Sequence, residues 1–187
     1  MKRLWAALER YLASEDPLAA GSNAIAFLVA CNLPLYPLTL WLATGANTVP
    51  TFLTALNTPV FLAVPLVSRC NALMGRVLLV VVGTVNSFIS TKVTGQASGA
   101  ELYLVPCFLT AAFAFRRSER LVSWTLLALI AAVLFRLHGH LGEVIQPWVP
   151  DDYAVLIRVN AASAVLLTAF VGLALARAQR ADRRRLS

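Results

Sequence analysis

Hydrogen-bonding side chains stand inside the long apolar stretches of this sequence, where each of them needs a partner. Asn86, Ser87 and Ser90 follow a run of Leu and Val, and Asn160 lies in another apolar stretch. In an apolar medium such groups either bond to one another between helices or bind a polar group of a ligand. Their chemistry is therefore recognition by hydrogen bonds, and no catalytic residue is predicted.

A ligand cavity is predicted, because polar and aromatic groups recur at a similar depth in several apolar stretches. It is expected between the third, fourth and sixth stretches and is expected to open outward. Its predicted lining is Asn86, Ser87, Ser90, Tyr103 and Asn160, with Tyr36 and Trp41 from the first stretch. A mostly apolar pocket with a few convergent polar groups suits a lipid-like or amphipathic ligand. The alternative is that these groups only bond to each other and fix the helix packing.

Two charged side chains, Glu101 and Arg158, stand alone at membrane depth. An isolated charge there must pair with an opposite charge or extend to the membrane surface. The sequence therefore predicts an ion pair between Glu101 in the fourth stretch and Arg158 in the sixth.

The two histidines, His138 and His140, are weak candidates for a metal site together with nearby carboxylates. Residues two apart do not share a helix face, so no metal is predicted. Haem held by two histidines needs them on facing helices, and both lie in one segment here. No cofactor is expected, and a haem-binding sensor with one protein ligand stays an alternative. The three cysteines, which lack CxxC spacing, are predicted to be small buried apolar residues: Cys31, Cys70 and Cys107.

Six apolar stretches position these groups, and each is long enough, or nearly so, to cross a bilayer core that takes about 20 helical residues. The predicted fold is an all-α integral membrane protein, a six-transmembrane-helix bundle. Pro34 and Pro37 are expected to interrupt the first helix. The predicted spans are Ala20–Thr44, Val49–Ser68, Ala72–Lys92, Ala100–Phe115, Leu121–His138 and Tyr153–Ala176.

The chain is divided into three parts by this pattern. Residues 1–16 are predicted to form a short amphipathic helix in the membrane interface, because apolar residues recur there at helical spacing among charges. Residues 17–176 hold the six-helix transmembrane domain. Residues 177–187 form a basic connector that is expected to continue as a helix into the cytoplasm.

The positive charges predict the orientation, because cytoplasmic loops carry an excess of Lys and Arg. With both termini inside, only Lys92, Arg136 and Arg158 fall on the outer side. The inner side holds Lys2, Arg3, Arg10, Arg69, Arg76, Arg116, Arg117, Arg120, Arg177, Arg180, Arg183, Arg184 and Arg185. The net charge of +7 thus reflects membrane orientation and contact with anionic lipids, and no nucleic acid is expected as a partner.

A family resemblance covers most of residues 20–176. Its residues are Asn32, Asn71, Gly75, Arg76, Asn86, Gly95, Ser98, Gly99, Glu101, Tyr103, Pro106, Phe115, Glu119, Arg120 and Asn160. In order and spacing they resemble the six-helix membrane domain at the N-terminus of bacterial sensor histidine kinases, adenylate cyclases and diguanylate cyclases. The resemblance implies a receptor in the bacterial inner membrane that signals, usually as a homodimer, to a cytoplasmic effector, here a kinase or nucleotide cyclase absent from this chain.

The preferred function is therefore a non-catalytic sensor input domain that binds a small lipid-like ligand from the outer side. A small-molecule transporter or channel is the next alternative, but the two halves show no convincing inverted repeat and the inner half lacks a polar path. A membrane enzyme would have to build its metal site from His138, His140 and the carboxylates near them.

Overall fold

The computed structural model describes residues 2–186, with the backbone alone for Lys2 and Leu186, so Met1 and Ser187 lie outside the described residues. Within that part of the chain the protein is helical and contains no strand. The α-helices are α1 (Lys2–Leu12), α2 (Pro17–Asn32), α3 (Tyr36–Thr44), α4 (Thr58–Cys70), α5 (Ala72–Thr94), α6 (Leu104–Phe113), α7 (Arg120–Leu137) and α8 (Pro150–Leu186). Short 3₁₀ turns lie at Leu33–Leu35, Val49–Asn57, Gln96–Ser98, Ala100–Tyr103 and Arg117–Glu119.

Five helical segments of the described chain are long and apolar enough to cross a membrane. They are Pro17–Thr44, Val49–Cys70, Ala72–Thr94, Arg117–Leu137 and Pro150–Arg185. A shorter apolar helical segment, Ala100–Phe113, stands where the fourth predicted span was expected. We number these segments one to six in chain order, with the short one as the fourth. The all-α fold is thus confirmed, with five helices that are long and apolar enough to span a membrane, and the count of six spans stays a prediction.

Proline breaks the regularity of the first segment, as the sequence predicts. The α-helix ends at Asn32, a 3₁₀ turn holds Pro34, and a new α-helix begins at Tyr36 with Pro37 in its first turn. Proline has no N–H for the helical ladder and its ring clashes with the preceding turn. The interruption places Tyr36 at a point where the helix changes direction.

The third segment, helix α5, is the centre of the bundle. Its residues pack in one cluster with α2, α4 and α8, and in a second cluster with α6 and α7. Gly75 allows close contact with α4, since a Cβ there would stand 2.0 Å from Ser68 Oγ. That hydroxyl donates to Asn23 Oδ1 at 2.8 Å, and Asn23 Nδ2 donates to the Leu12 carbonyl at 3.1 Å. Small and polar residues thus join α1, α2, α4 and α5.

Helix α7 lies at the edge of the bundle. Only Leu126, Ile130 and Leu137 of this helix are buried. Trp124 and Phe135 are 68% and 74% exposed, an arrangement that suits contact with lipid tails. The site described below is therefore built by other segments.

Helix α8 is one unbroken element of 37 residues. At 1.5 Å per residue it is about 55 Å long, which exceeds the roughly 30 Å of a bilayer core. Its apolar part is followed without a break by the basic residues Arg177–Arg185. We call the end of the bundle with these residues the inner end, and the end with Gly45, Gly95 and Trp148 the outer end.

The orientation of these two ends can be tested by labelling. Single cysteines at Ala97, Ser118 and Val149, all exposed positions, are placed in a variant whose three native cysteines are serine. We expect an impermeant maleimide added outside intact cells to label the Ala97 and Val149 positions but not the Ser118 position. Labelling at Ser118 that requires no permeabilisation would refute the inside location of both termini.

Candidate ligand cavity

A cavity of about 360 Å³ lies within the bundle, in the size range of small-molecule sites. Its walls come from the first, third, fourth and sixth segments, with Phe61 from the second. The first segment, from which the sequence predicted Tyr36 and Trp41, is thus a major wall beside the three segments between which the cavity was expected.

Five of the seven predicted lining residues stand on the wall. They are Tyr36, Asn86, Ser87, Ser90 and Tyr103. The other two do not reach it. Asn160 is fully buried behind Tyr103, and Trp41 is 53% exposed on the surface of the first segment.

Two of the predicted lining residues, Asn86 and Asn160, form hydrogen bonds to neighbouring parts of the bundle. Asn57 Nδ2 donates to Asn86 Oδ1 at 2.9 Å, which joins the second and third segments. Asn160 Nδ2 donates to the Ser98 carbonyl at 2.9 Å, and the Tyr103 hydroxyl donates to Asn160 Oδ1 at 3.3 Å. Asn86 and Asn160 therefore fix the helix packing, the role that the alternative interpretation gave them.

Tyr36 differs from these residues because its buried hydroxyl makes no hydrogen bond of normal geometry. The side chains of Asn160 and Thr94 lie near it, and the Tyr103 ring packs edge-on with the centroids 6.4 Å apart. A buried hydroxyl without a partner costs free energy, of the order of 1–3 kcal/mol. A ligand that bonds to this hydroxyl would remove the cost.

The outer end of the cavity is closed, contrary to the prediction that it opens outward. Leu40, Trp148 and Leu156 form a buried apolar cluster there, and Tyr36 packs against it. Trp148 belongs to the connection between α7 and α8, so distant parts of the chain meet at this point.

Lys92 holds that connection in place. Its Nζ donates to the carbonyl oxygens of Leu141, at 2.9 Å, and of Glu143. The backbone N–H groups of Ile145 and Gln146 donate to the carbonyls of Lys92 and Val93 at 3.2 and 3.1 Å. The connection is therefore bonded to the end of α5 and covers the outer end of the bundle.

The exposed wall residues mark a different opening. They are Asn32, Leu35 and Thr39 on the first segment and Leu166 on the sixth. All four face the side of the bundle between these two segments, where a bilayer would supply lipid tails. The cavity thus opens sideways.

The predicted ion pair between Glu101 and Arg158 is not formed. Glu101 Oε2 lies 3.6 Å from His138 Nδ1, and Arg158 is exposed, with no ion pair among the described residues. Successive helical residues are rotated by about 100°, so residues two apart face nearly opposite sides. Leu156 and Asn160 are buried against the bundle, and Arg158 consequently faces away from it.

The histidines and cysteines differ in their exposure and in the residues that they contact. The described residues contain no group of three or more His, Cys, Asp or Glu side chains that could hold a metal ion. The His138 side chain is 66% exposed, and the His140 ring stacks on Phe135. Cys31 and Cys70 are exposed, which corrects the prediction that they are buried, since neither side chain packs into the core of the bundle. Cys107 is half-buried on the cavity wall.

A buried charge network at the inner end was not predicted from the sequence. Arg76 on α5 is 1% exposed, and its guanidinium donates to both oxygens of Glu119 at 2.7 and 2.8 Å. It also donates to the carbonyls of Ala114 and Ala72 at 2.8 and 3.1 Å. A buried cation requires such partners because transfer from water without them costs several kcal/mol.

Arg116 connects the same network to both ends of the chain. It donates to both oxygens of Asp182 on α8, at 2.6 and 3.1 Å, and to Asp16 Oδ2 at 2.9 Å. Asp16 also caps α2, since its Oδ1 accepts from the N–H groups of Leu18 and Ala19 at 2.8 and 3.1 Å. The network, formed by Asp16, Arg76, Arg116, Glu119 and Asp182, therefore joins four parts of the inner end.

Asp16 and Arg116 of this network are ionised at neutral pH. Burial alone would raise the pKa of Asp16, but the Ala19 N–H and the guanidinium groups of Arg116 and Arg76 bring that pKa below its ordinary value of 3.8. The Asp182 carboxylate raises the pKa of Arg116. Because the folded-state pKa of Asp16 is depressed, its stabilisation is fully present above pH 3.8 and is lost only as the pH falls through the lower value.

One sequence signal could have revealed the network. Arg76 and Glu119 both belong to the pattern that carries the family resemblance, whereas the distribution of positive charges uses Arg76 and Arg116 only as orientation signals. Carboxylates and guanidinium groups at the same predicted depth in the membrane are candidates for ion pairs. The same reasoning predicts the pair of Glu101 and Arg158.

Comparison with known families places the chain in a family of membrane-associated domains. The sequence profile of the MASE7 family matches residues 22–184, which is most of the chain. MASE domains are membrane-associated sensor domains of bacterial signalling proteins, so the match confirms the predicted resemblance to such domains. No curated protein and no solved structure matches the chain significantly.

Proposed function

The chain belongs to the MASE7 family of membrane-associated sensor domains, and we propose that it is an input domain that binds a lipid-like ligand and signals through α8. The domain is non-catalytic and lies in the bacterial inner membrane with both termini in the cytoplasm. Its partner is a cytoplasmic effector, a kinase or a nucleotide cyclase, and it acts as a homodimer.

One observation carries this proposal: the helix that forms a wall of the cavity also runs to the inner end without a break. Val159, Ser163, Leu166 and Val171 of α8 line the cavity, and the same helix reaches Leu186. A continuous helix transmits a shift along its axis or about it. A ligand that changes the position of this wall therefore changes the position of the basic end.

The signal depends on two arrangements of α8 with different affinities for the ligand, since only differential binding shifts an equilibrium. The bond between Asp182 and Arg116 favours the arrangement described here, because it fixes the inner end of α8 to the connection between α6 and α7. A ligand that favours another arrangement works against that bond. The network thereby sets how much ligand the response requires.

The proposal is tested by measuring the position of the inner end of α8. Nitroxide labels are placed at Ser118 and Arg183, both exposed, and the distance distribution between them is measured in nanodiscs with and without 1-decanol. We expect 1-decanol to shift the distribution in the parent protein. Ser87→Phe fills the cavity from α5, so it should abolish the shift.

The matched control is Val85→Phe on the same helix. Val85 is 45% exposed and does not line the cavity, so this variant should keep the shift. A distribution that stays unchanged in the parent protein would contradict signalling through α8. An equal shift in the Ser87→Phe variant would contradict the role of the cavity.

A further inference from the structure

We propose that the ligand of this cavity is an uncharged single-chain amphiphile that enters from the bilayer between the first and sixth segments. Its polar head bonds to Tyr36 near the outer end, and its chain extends toward the inner end. The inference rests on the proposed function, because it assigns the ligand class and the route of the same site.

The cavity wall carries no charged side chain among the described residues, which argues against a ligand with a charged head group. The cavity is lined within the described chain by apolar residues together with Asn, Ser, Thr, Tyr and Cys, and by no Asp, Glu, Lys, Arg or His. A charged group needs an opposite charge or several strong hydrogen bonds when it leaves water. A hydroxyl or carbonyl head needs only one or two hydrogen bonds, which this wall can supply.

The distribution of polar groups sets the direction of the ligand. Toward the outer end the wall carries Tyr36, Asn86, Ser90 and Tyr103, and the Tyr36 hydroxyl has no hydrogen-bond partner. Toward the inner end the wall is mostly apolar, with Ile25, Phe61, Leu79 and Val171. The Thr110 hydroxyl in this part already donates to the Pro106 carbonyl at 2.7 Å. An amphiphile consequently lies with its head at Tyr36 and its chain among the apolar residues.

The shape of the cavity favours a single chain. Its wall on α5 runs from Leu79 to Ser90, and its wall on α8 runs from Val159 to Val171. At 1.5 Å per residue these stretches are about 16 and 18 Å long. A volume of about 360 Å³ spread over that length leaves a narrow space, which favours one alkyl chain over a two-chain lipid.

The route by which the ligand enters follows from the closure of the outer end of the cavity. Leu40, Trp148 and Leu156 cover the outer end, so a ligand from the aqueous phase meets a packed apolar cluster. The exposed wall residues lie at the side, where Leu35 and Leu166 are 54% and 71% exposed. A molecule dissolved in the bilayer reaches the cavity between them without crossing water.

The test uses a photoreactive decan-1-ol with a diazirine at its terminal carbon, added to the full chain in nanodiscs. Mass spectrometry then maps the residues that it labels. We expect labelling at the inner wall, near Ile25, Phe61, Leu79 and Val171, because the terminal carbon lies there. Unlabelled 1-decanol should compete, whereas decyl sulfate and decyltrimethylammonium should compete at least tenfold less well because neither ionic head finds a counter-charge.

Two variants test the contact of the ligand's polar head with Tyr36 and the route by which the ligand enters. Tyr36→Phe removes the unpartnered hydroxyl, so it should not lower thermal stability and should weaken competition by 1-decanol about fivefold. Leu166→Trp obstructs the side opening and should reduce labelling at least tenfold. Leu173→Trp, on the same helix and 62% exposed but away from this cavity, is the control and should label as the parent does.

Each outcome decides a separate part of the inference. Equal competition by either charged probe would overturn the uncharged head, and equal labelling of the Leu166→Trp and Leu173→Trp variants would overturn the side route. Inner-wall labelling that Tyr36→Phe does not weaken would overturn the role assigned to Tyr36. Failure of the probe to label any wall residue would overturn the site itself, and with it the ligand in the proposed function. If the photoreactive probe labels the wall but 1-decanol does not shift α8, only the signalling step of the proposed function is contradicted.

Discussion

Replacing Arg76 by methionine is expected to lower the free energy of unfolding by about 3–5 kcal/mol. The substitution keeps the volume of the side chain but removes the cation that Glu119 and Asp16 share at the inner end. Glu119 then remains partly buried without its bidentate partner, and the carbonyl of Ala114 loses its donor. Thermal unfolding of the purified protein in detergent, with a thiol-reactive dye or tryptophan fluorescence, measures the loss.

Arg117→Met is the matched control for that experiment. Arg117 is exposed in the same region of the inner end, and its substitution should change the unfolding free energy by less than about 0.5 kcal/mol. The double variant with Arg76→Met and Glu119→Gln should be less destabilised than the sum of its single variants, because it removes both charges of the buried pair. Strict additivity would show that the two side chains do not interact.

Replacing Asp182 by asparagine is expected to release the inner end of α8 from the rest of the bundle. The substitution removes the carboxylate that accepts two hydrogen bonds from Arg116. The Arg116 side chain is 30% exposed, so solvent weakens the pair, and we discount its contribution to about 1–2 kcal/mol. Local opening should therefore become about tenfold more frequent.

Hydrogen exchange of the amides in residues 177–185 measures this opening. The control is Asp151→Asn at the opposite end of the same helix, where Asp151 is exposed and makes no ion pair among the described residues. It removes the same charge from α8, but exchange in residues 177–185 should match the parent protein. Equal exchange in the Asp182→Asn and Asp151→Asn variants would mean that Arg116 does not fix the inner end of α8.

The charge network and the cavity both involve helix α8, the network at its inner end and the cavity at residues farther from that end. Leu166 and Val171 of α8 face the cavity, and Asp182 of α8 binds Arg116 at the inner end. If the proposed function holds, the Asp182→Asn variant needs less ligand for the same shift of α8, because no bond resists that shift. The nitroxide experiment with a titration of 1-decanol would show this as a lower midpoint.

Much of the helical architecture follows from local properties of the sequence. Apolar runs bounded by charges predict where helices stand, since a helix in a membrane satisfies its own backbone groups whatever its neighbours are. Pro34 and Pro37 interrupt the first segment for an equally local reason, the missing N–H. Five of the predicted lining residues lie on the cavity wall because polar side chains in apolar runs face the bundle interior, and their binding of a ligand stays a prediction.

Only the tertiary structure decided which polar groups meet. The partner of Arg76 depends on the turn between α6 and α7, which returns Glu119 beneath α5, and no local pattern specifies that return. Arg158 faces away from the bundle because of its angle around α8, although its depth matched that of Glu101. The closure of the outer end requires Trp148, from a connection late in the chain, to reach Leu40. Depth in a membrane is a property of the sequence, whereas the angle of a side chain around its helix and its contact with distant loops are set by packing.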